Sequence, residues 1–235
     1  MEKPLSAYDR AILQLEQDIM RMGEHVCSSV AQALEALVKQ DVALARQVIE
    51  GDALTDDWNY SVEEKALELI SLQQPLDRDL RALATVMRVG RELERVGDYA
   101  ENIAETALRL ADKGPYFKPL VDIPRMAELA QAMLHRSLEA FVARSILKAR
   151  EVIPADDEVD RLFESLYEEL IEYMKKGPQF VDQASYLALV ARYLERIADH
   201  AVNIAEMVIF RETGIRRPSK AIEAETRDDP DRRRS

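Results

Sequence analysis

The sequence predicts an all-α fold: two tandem, pseudo-symmetric three-helix bundles, six helices packed antiparallel, up and down. Three observations carry the prediction. Ala, Leu, Glu and Arg dominate a chain that holds only 7 Gly and 9 Pro in 235 residues, a composition of helix formers. Apolar residues recur at spacings of three and four along the chain, the mark of amphipathic helices. One stretch is also written twice. Glu94-Arg-Val-Gly-Asp98-Tyr-Ala-Glu-Asn102-Ile-Ala-Glu105 returns as Glu195-Arg-Ile-Ala-Asp199-His-Ala-Val-Asn203-Ile-Ala-Glu206, identical at eight of twelve positions with an offset of 101. A repeat on that scale implies two copies of one structural unit.

The first helix is capped by Ser6, with Asp9 completing a loose capping box. Its apolar stripe is Ile12, Leu15, Ile19, Met22, Val26, Val30, Ala33, Leu37, Val42, Ala45 and Ile49. The spacings are three and four with a single five, so the pattern predicts one long helix over 7–49, broken at Gly51. Asp52 then caps a second helix with Leu54, Trp58, Val62, Leu69 and Leu72 facing inward. Gln73-Gln-Pro75 ends it, because proline cannot continue the hydrogen-bond ladder. A third helix runs from near Leu76 to about Ala111, stopped by Asp112-Lys-Gly-Pro115. Residues 116–124 form an extended, proline-bearing connector. The plan then repeats, with helices over about 125–153, 156–175 and 181–212, a break at Pro154 and a turn at Lys176-Gly-Pro178. Ser137-Leu-Glu-Ala-Phe141 matches Ala33-Leu-Glu-Ala-Leu37, and Arg150-Glu-Val-Ile153 matches Arg46-Gln-Val-Ile49, both at an offset of 104. The units are therefore expected at 1–115 and 116–212, followed by a polar, disordered tail over 213–235.

Composition also limits function. A net charge of −12 offers no basic field to neutralise phosphates, which argues against nucleic-acid binding. The single Cys27 rules out an internal disulfide and suits a reducing compartment. No apolar run follows Met1-Glu-Lys-Pro-Leu-Ser6, so no signal peptide is expected. No window holds the roughly 18 apolar residues of a membrane span. A soluble, cytoplasmic protein is expected. No nucleophile–base set, glycine-rich phosphate loop or dinucleotide fingerprint is visible, so the chain is not expected to be an enzyme.

The chemistry is carried by acids. In the third helices, Glu94, Asp98, Asn102 and Glu105, and again Glu195, Asp199, Asn203 and Glu206, form a polar ridge beside the core stripe. Asp52 and Asp56 on the second helix recur as Asp156 and Asp160 at an offset of 104. Asp56 lies 19 residues before Pro75 and Glu94 lies 19 after it, so an antiparallel hairpin sets them level. Each hairpin thus gathers four carboxylates: Asp52, Asp56, Glu94 and Asp98 in one, Asp156, Asp160, Glu195 and Asp199 in the other. Asn102 and Asn203 stand next to them as candidate supporting groups. Carboxylate oxygens are hard ligands, suited to iron, manganese, magnesium or calcium and less to zinc. The plain alternative is solvated surface, since acids four apart on a helix commonly pair with arginine, and Arg95 and Arg196 are at hand. Two anions on one helix face repel, and writing that costly pair twice favours a bound cation. The repeat also sorts candidates. Glu101 corresponds to Val202, Asp57 to Arg161 and Tyr99 to His200, so none of these is a shared ligand, and His25 and His135 have no counterparts.

These residues resemble the PhoU family, accessory regulators of phosphate-specific transport, over roughly residues 8 to 211. The stretches that carry the resemblance are Gln73-Gln-Pro-Leu-Asp-Arg-Asp-Leu-Arg81, the two Glu-Arg-x-x-Asp-x-x-x-Asn-Ile-Ala-Glu segments, and Gly51-Asp52. The resemblance implies tandem three-helix bundles and paired acidic motifs that bind multinuclear metal clusters. It also implies a non-enzymatic, cytoplasmic negative regulator of the phosphate-starvation response. Such a regulator would act through the phosphate transporter's ATPase subunit and a membrane-associated sensor histidine kinase, as a homodimer. Two other classes remain beside it: a helical interaction module without metal, and a carboxylate-bridged di-metal oxidase. The oxidase usually adds Glu-x-x-His pairs inside a four-helix core, and the repeated sites here have none.

Overall fold

A computed structural model describes residues 6–215. They form helices α1 (Ala7–Lys39), α2 (Val42–Gln73), α3 (Asp77–Ala111), α4 (Asp122–Ala143), α5 (Ile146–Val152), α6 (Asp156–Lys176) and α7 (Val181–Thr213), with no strand among the described residues. A 3-10 turn over Ile153–Ala155 joins α5 to α6, and together they form the counterpart of α2. The plan is two tandem bundles of three, α1–α2–α3 and α4–α5/α6–α7. Most of the expected tail, 216–235, lies outside the described residues; α7 itself runs to Thr213 and ends on Gly214, whose positive φ of 78° closes the helix.

The first helix of each unit ends earlier than the apolar pattern predicts. α1 stops at Lys39 and α4 at Ala143, not at 49 and 153. Gln40 and Arg144 take the left-handed conformation at equivalent positions, with φ of 53° and 50°. The next amide in each case closes a Schellman-type cap: Asp41 N–H donates to the Ala36 carbonyl at 2.9 Å, and Ser145 N–H to Ala140 at 3.0 Å. Asp41 and Ser145 then cap α2 and α5 with their side chains. The single five-residue spacing, from Leu37 to Val42, was the mark of this turn. α2 continues straight through Gly51, so Asp52 lies inside a helix and caps nothing. Nor does Asp156 cap α6: it is the first helical residue, behind the Pro154 turn.

The inward face of α2 also differs from expectation. Leu54 and Leu72 are 43% and 68% exposed. Val62 is buried and Trp58 and Leu69 pack against the core as expected, and the buried stripe also takes in Ala45, Val48, Thr55, Asn59 and Ala66. Polar residues occupy it midway, which hid it from a reading that followed the large apolar side chains.

α3 packs against α1, α2 and α7, while α7 packs against α3 and all the helices of the second unit. The α3–α7 seam runs antiparallel with a seven-residue rhythm. Thr85 donates to the Met207 carbonyl at 3.5 Å, Glu92 accepts from Asn203 at 2.9 Å and lies 2.6 Å from His200 Nδ1, and Tyr99 stacks on Tyr193 at 5.8 Å. Arg211, fully buried on α7, pairs with Glu16 of α1, which also binds Arg144. The buried apolar residues of both units form one continuous cluster.

Candidate metal centre

The ridge acids sit where they do because α3 and α7 are buried on most sides. Their core stripes, Val86, Leu93, Ala100, Ala104 and Ala107 on α3 and Leu187, Ala191, Leu194, Ala198, Ala201 and Ala205 on α7, are all buried. One residue beyond Leu93 comes Glu94, only 9% exposed. Small residues draw the second helix close. A Cβ on Gly97 would lie 3.0 Å from Asp52 Oδ1 and 3.1 Å from Thr55 Cγ2, so the Asp52 carboxylate rests on bare α3 backbone.

In the first unit, Asp52, Asp56 and Asp98 each offer a carboxylate oxygen, and the three lie within 4.8 Å of one another. Oxygens on opposite sides of one bound cation are about 4–5 Å apart, so this trio spans a single ion. Glu94 stands beside it: its charge environment includes Asp98 and Asp56. Burial, then Glu101, Asp98 and Asp56, push the Asp52 pKa from 3.8 up to about 6. In the second unit, burial, then Asp160, Asp199, Glu195 and Asp157, push Asp156 up to about 7. Burial first and neighbouring acids after it raise Glu94, Asp160 and Glu195 as well, against the opposing pull of arginines. Burial is the largest cause of each rise, and the neighbouring acids add to it.

The arginines divide the acids into two kinds. Arg91 binds Glu94 at 2.9 Å and Arg95 binds Asp98 at 2.7 Å; Arg192 binds Glu195 at 2.7 Å and Arg196 binds Asp199 at 2.9 Å. Each arginine side chain is 43% exposed or more, so the pairs are solvent-screened and weak. Among the described residues, no cation pairs with Asp52, Asp56, Asp156 or Asp160. Buried Asp156 Oδ1 has no hydrogen-bond partner, while buried Glu94 Oε2 and Glu195 Oε2 make no hydrogen bond but lie 3.5 and 3.8 Å from the Nε of Arg95 and Arg196. An unpaired buried oxygen is costly, and a cation answers that cost. The orphaned Asp156 oxygen, an all-carboxylate donor set and the Gly97 cradle therefore fit a hard metal ion.

The two asparagines face elsewhere. Asn102 donates to the Asp98 carbonyl of its own helix at 2.6 Å, and Asn203 donates to Glu92 across the seam. Sequence reasoning passed over two features. Glu101, set aside because Val202 replaces it, carries the largest charge effect on Asp52; its place seven residues beyond Glu94 was the signal. Arg91 and Arg192 are also a repeated pair, at an offset of 101, three residues before each glutamate. Tyr99 and His200 belong to the seam: their rings lie 5.6 Å apart. His25 packs edge-on to Trp58 at 5.3 Å, with Nε2 3.3 Å from the Gly51 carbonyl.

A tandem helical-repeat protein with a carboxylate cluster on each hairpin is the class that fold and site define. The chain belongs to the PhoU family: the family model for the PhoU domain matches residues 19–107 and 123–208. It is 36% identical over 210 residues to a phosphate-specific transport system accessory protein PhoU homolog of Rhizobium meliloti, covering 89% of each chain. A homolog of the same description from Aquifex aeolicus is 39% identical over 183 residues, covering 78% of this chain and 82% of that one. The crystal structure of PhoU from Pseudomonas aeruginosa superposes with a TM-score of 0.86 at 30% identity, covering 88% of this chain and all of that one. The phosphate transport system regulatory protein PhoU from Streptococcus pneumoniae gives 0.83 at 28% identity, covering 88% and 98%.

Proposed function

We propose that this chain is a metal-binding helical regulator of phosphate uptake and a negative regulator of the phosphate-starvation response. It works by docking, not by turnover. Its partners are the ATPase subunit of a phosphate transporter and a sensor histidine kinase of the phosphate response, reached from the cytoplasm, with the chain itself a homodimer. Relatives described as accessory proteins of phosphate-specific transport support the role, and no helix among the described residues is long and apolar enough to cross a membrane. The observation that carries metal binding is the trio of carboxylate oxygens on Asp52, Asp56 and Asp98, all within 4.8 Å of one another, with a buried Asp156 oxygen that lacks a hydrogen-bond partner on the second hairpin. Asp52, Asp56, Glu94 and Asp98 would hold metal in the first unit, and Asp156, Asp160, Glu195 and Asp199 in the second. A bound iron, manganese or magnesium ion would supply the positive charge that ties α2 to α3 and α6 to α7.

Deletion of the gene is expected to leave phosphate-starvation genes switched on in high phosphate, read with a reporter. Normal repression in the deletant would refute the regulatory role. Pull-down from phosphate-replete cells should recover the transporter ATPase and the kinase. The arginine pairs favour one second reading, an interaction module whose ridges are ordinary ion-pair networks. Elemental analysis of the purified chain separates the two.

A further inference from the structure

We infer that the two carboxylate clusters are unequal binding sites, and that Gly97 makes the first the tighter one by letting the Asp52 carboxylate seat against α3. The inference rests on the metal reading above and adds an order of loading and a positioning residue. Only the first unit gathers three carboxylate oxygens within 4.8 Å of one another among the described residues. Such a trio closes on an ion with little rearrangement, and preorganised ligands bind more tightly than ligands that must first be brought together.

Two local differences produce the inequality. The residue equivalent to Gly97 is Ala198, 101 positions later. On α3 a methyl group would meet Asp52 Oδ1 at 3.0 Å and Thr55 at 3.1 Å, closer than such contacts normally fall. Either the carboxylate or the helix must then give by a few tenths of an ångström. The second difference lies in the helix that brings the acid. α2 is unbroken from Val42 to Gln73, with Asp52 held on both sides by helical turns. Asp156 opens α6 just after the Ile153–Ala155 3-10 turn, with its N–H donating to the Ile153 carbonyl, so the change from 3-10 to α winding falls at the ligand itself.

Gly97 touches no ion in this scheme. It fixes the carboxylate that does, in the manner of residues behind metal ligands, whose loss costs about 10–100-fold in affinity. The test is calorimetric titration of chelator-stripped, full-length protein with Mn2+. The wild type should bind in two steps separated by at least about tenfold. Asp98→Asn should abolish the tight step and Asp199→Asn the weak one. Gly97→Ala should weaken the tight step by about tenfold and leave the weak one in place. Ala198→Gly, the reciprocal change, should tighten the weak step and leave the tight one alone. Circular dichroism melting of both variants controls for folding. Two steps of equal affinity, or a tight step unmoved by Gly97→Ala in a folded protein, would overturn the inequality while metal binding stands. Failure of the wild type to bind Mn2+, Fe2+ or Mg2+ at either cluster would overturn the metal reading and this inference together.

Discussion

The two acidic ridges are near copies in sequence and different in structure. Both set a glutamate and an aspartate on a buried central helix, each paired to a solvent-exposed arginine. Both face two aspartates with no cationic partner among the described residues. Yet the first is presented by one continuous helix against a glycine, and the second by a helix restarted after Pro154 against an alanine. The lesson is that repeated ligands do not make repeated sites. Ligand identity is set by the residue types, whereas ligand distance is set by helix continuity and by single methyl groups at the helix contact.

The largest effect that probes this comparison lies in the core. Leu93 and Leu194 are equivalent and both fully buried. Leu93→Ala and Leu194→Ala should each cost about 2–5 kcal/mol in denaturant unfolding. Because the buried residues form one cluster across both units, each variant should still unfold in a single transition. Two resolved transitions would show that the units fold independently.

Metal removal comes next. A cation that binds only the folded chain stabilises it by about 2.7 kcal/mol at 100 times its dissociation constant. Chelation should therefore lower the melting temperature, and Asp98→Asn combined with Asp199→Asn should abolish both bound metal and the chelator effect. If the double variant is as stable as the wild type or more so, and chelator changes neither, the ridges are solvated surface.

Protonation gives a smaller contrast between the units. An acid whose pKa is raised by folding keeps its proton in the native state after the unfolded chain has lost it. Between the two values the native state binds more protons, so stability falls as pH rises through that window. For Asp52 the window runs from 3.8 to about 6, and for Asp156 from 3.8 to about 7. Metal-free protein should thus melt at a lower temperature at pH 8 than at pH 5. Asp156→Asn should flatten the upper part of that slope, between about pH 6 and 7, and Asp52→Asn only the part below it. A chelated protein that is most stable at pH 8 would contradict the crowding.

The smallest test concerns the caps. Asp41 accepts from two amides, Ala43 and Leu44, both at 3.0 Å, whereas Ser145 accepts from one, Lys148, at 3.3 Å. Asp41→Ala should cost about 1 kcal/mol and Ser145→Ala about 0.5, measured by chemical denaturation. No cost at either position would mean that the two turns are held by their left-handed residues alone.

The sequence by itself determined the helical class, the duplication and the placing of acid pairs on the second and third helix of each unit. Each follows from local rules: helix-forming residues, three-and-four periodicity, and a motif long enough to recognise at a second position. It also placed α3 and α7 almost to the residue, because their stripes of Val, Leu and Ala are uninterrupted. It misplaced the first turn of each unit, because Gln40 and Arg144 take a left-handed backbone without the glycine that normally announces one. It misread part of the inner face of α2, where Leu54 and Leu72 are exposed and Thr55 and Asn59 are buried. Tertiary structure alone decided that three carboxylates of the first unit meet within 4.8 Å. It also decided that Glu101 lies within reach of their charge, and that Asn203 turns to Glu92 and away from the acids. The physical reason is range. Periodicity fixes which face a side chain is on, but the distance between two faces depends on the small residues and kinks of both helices at once.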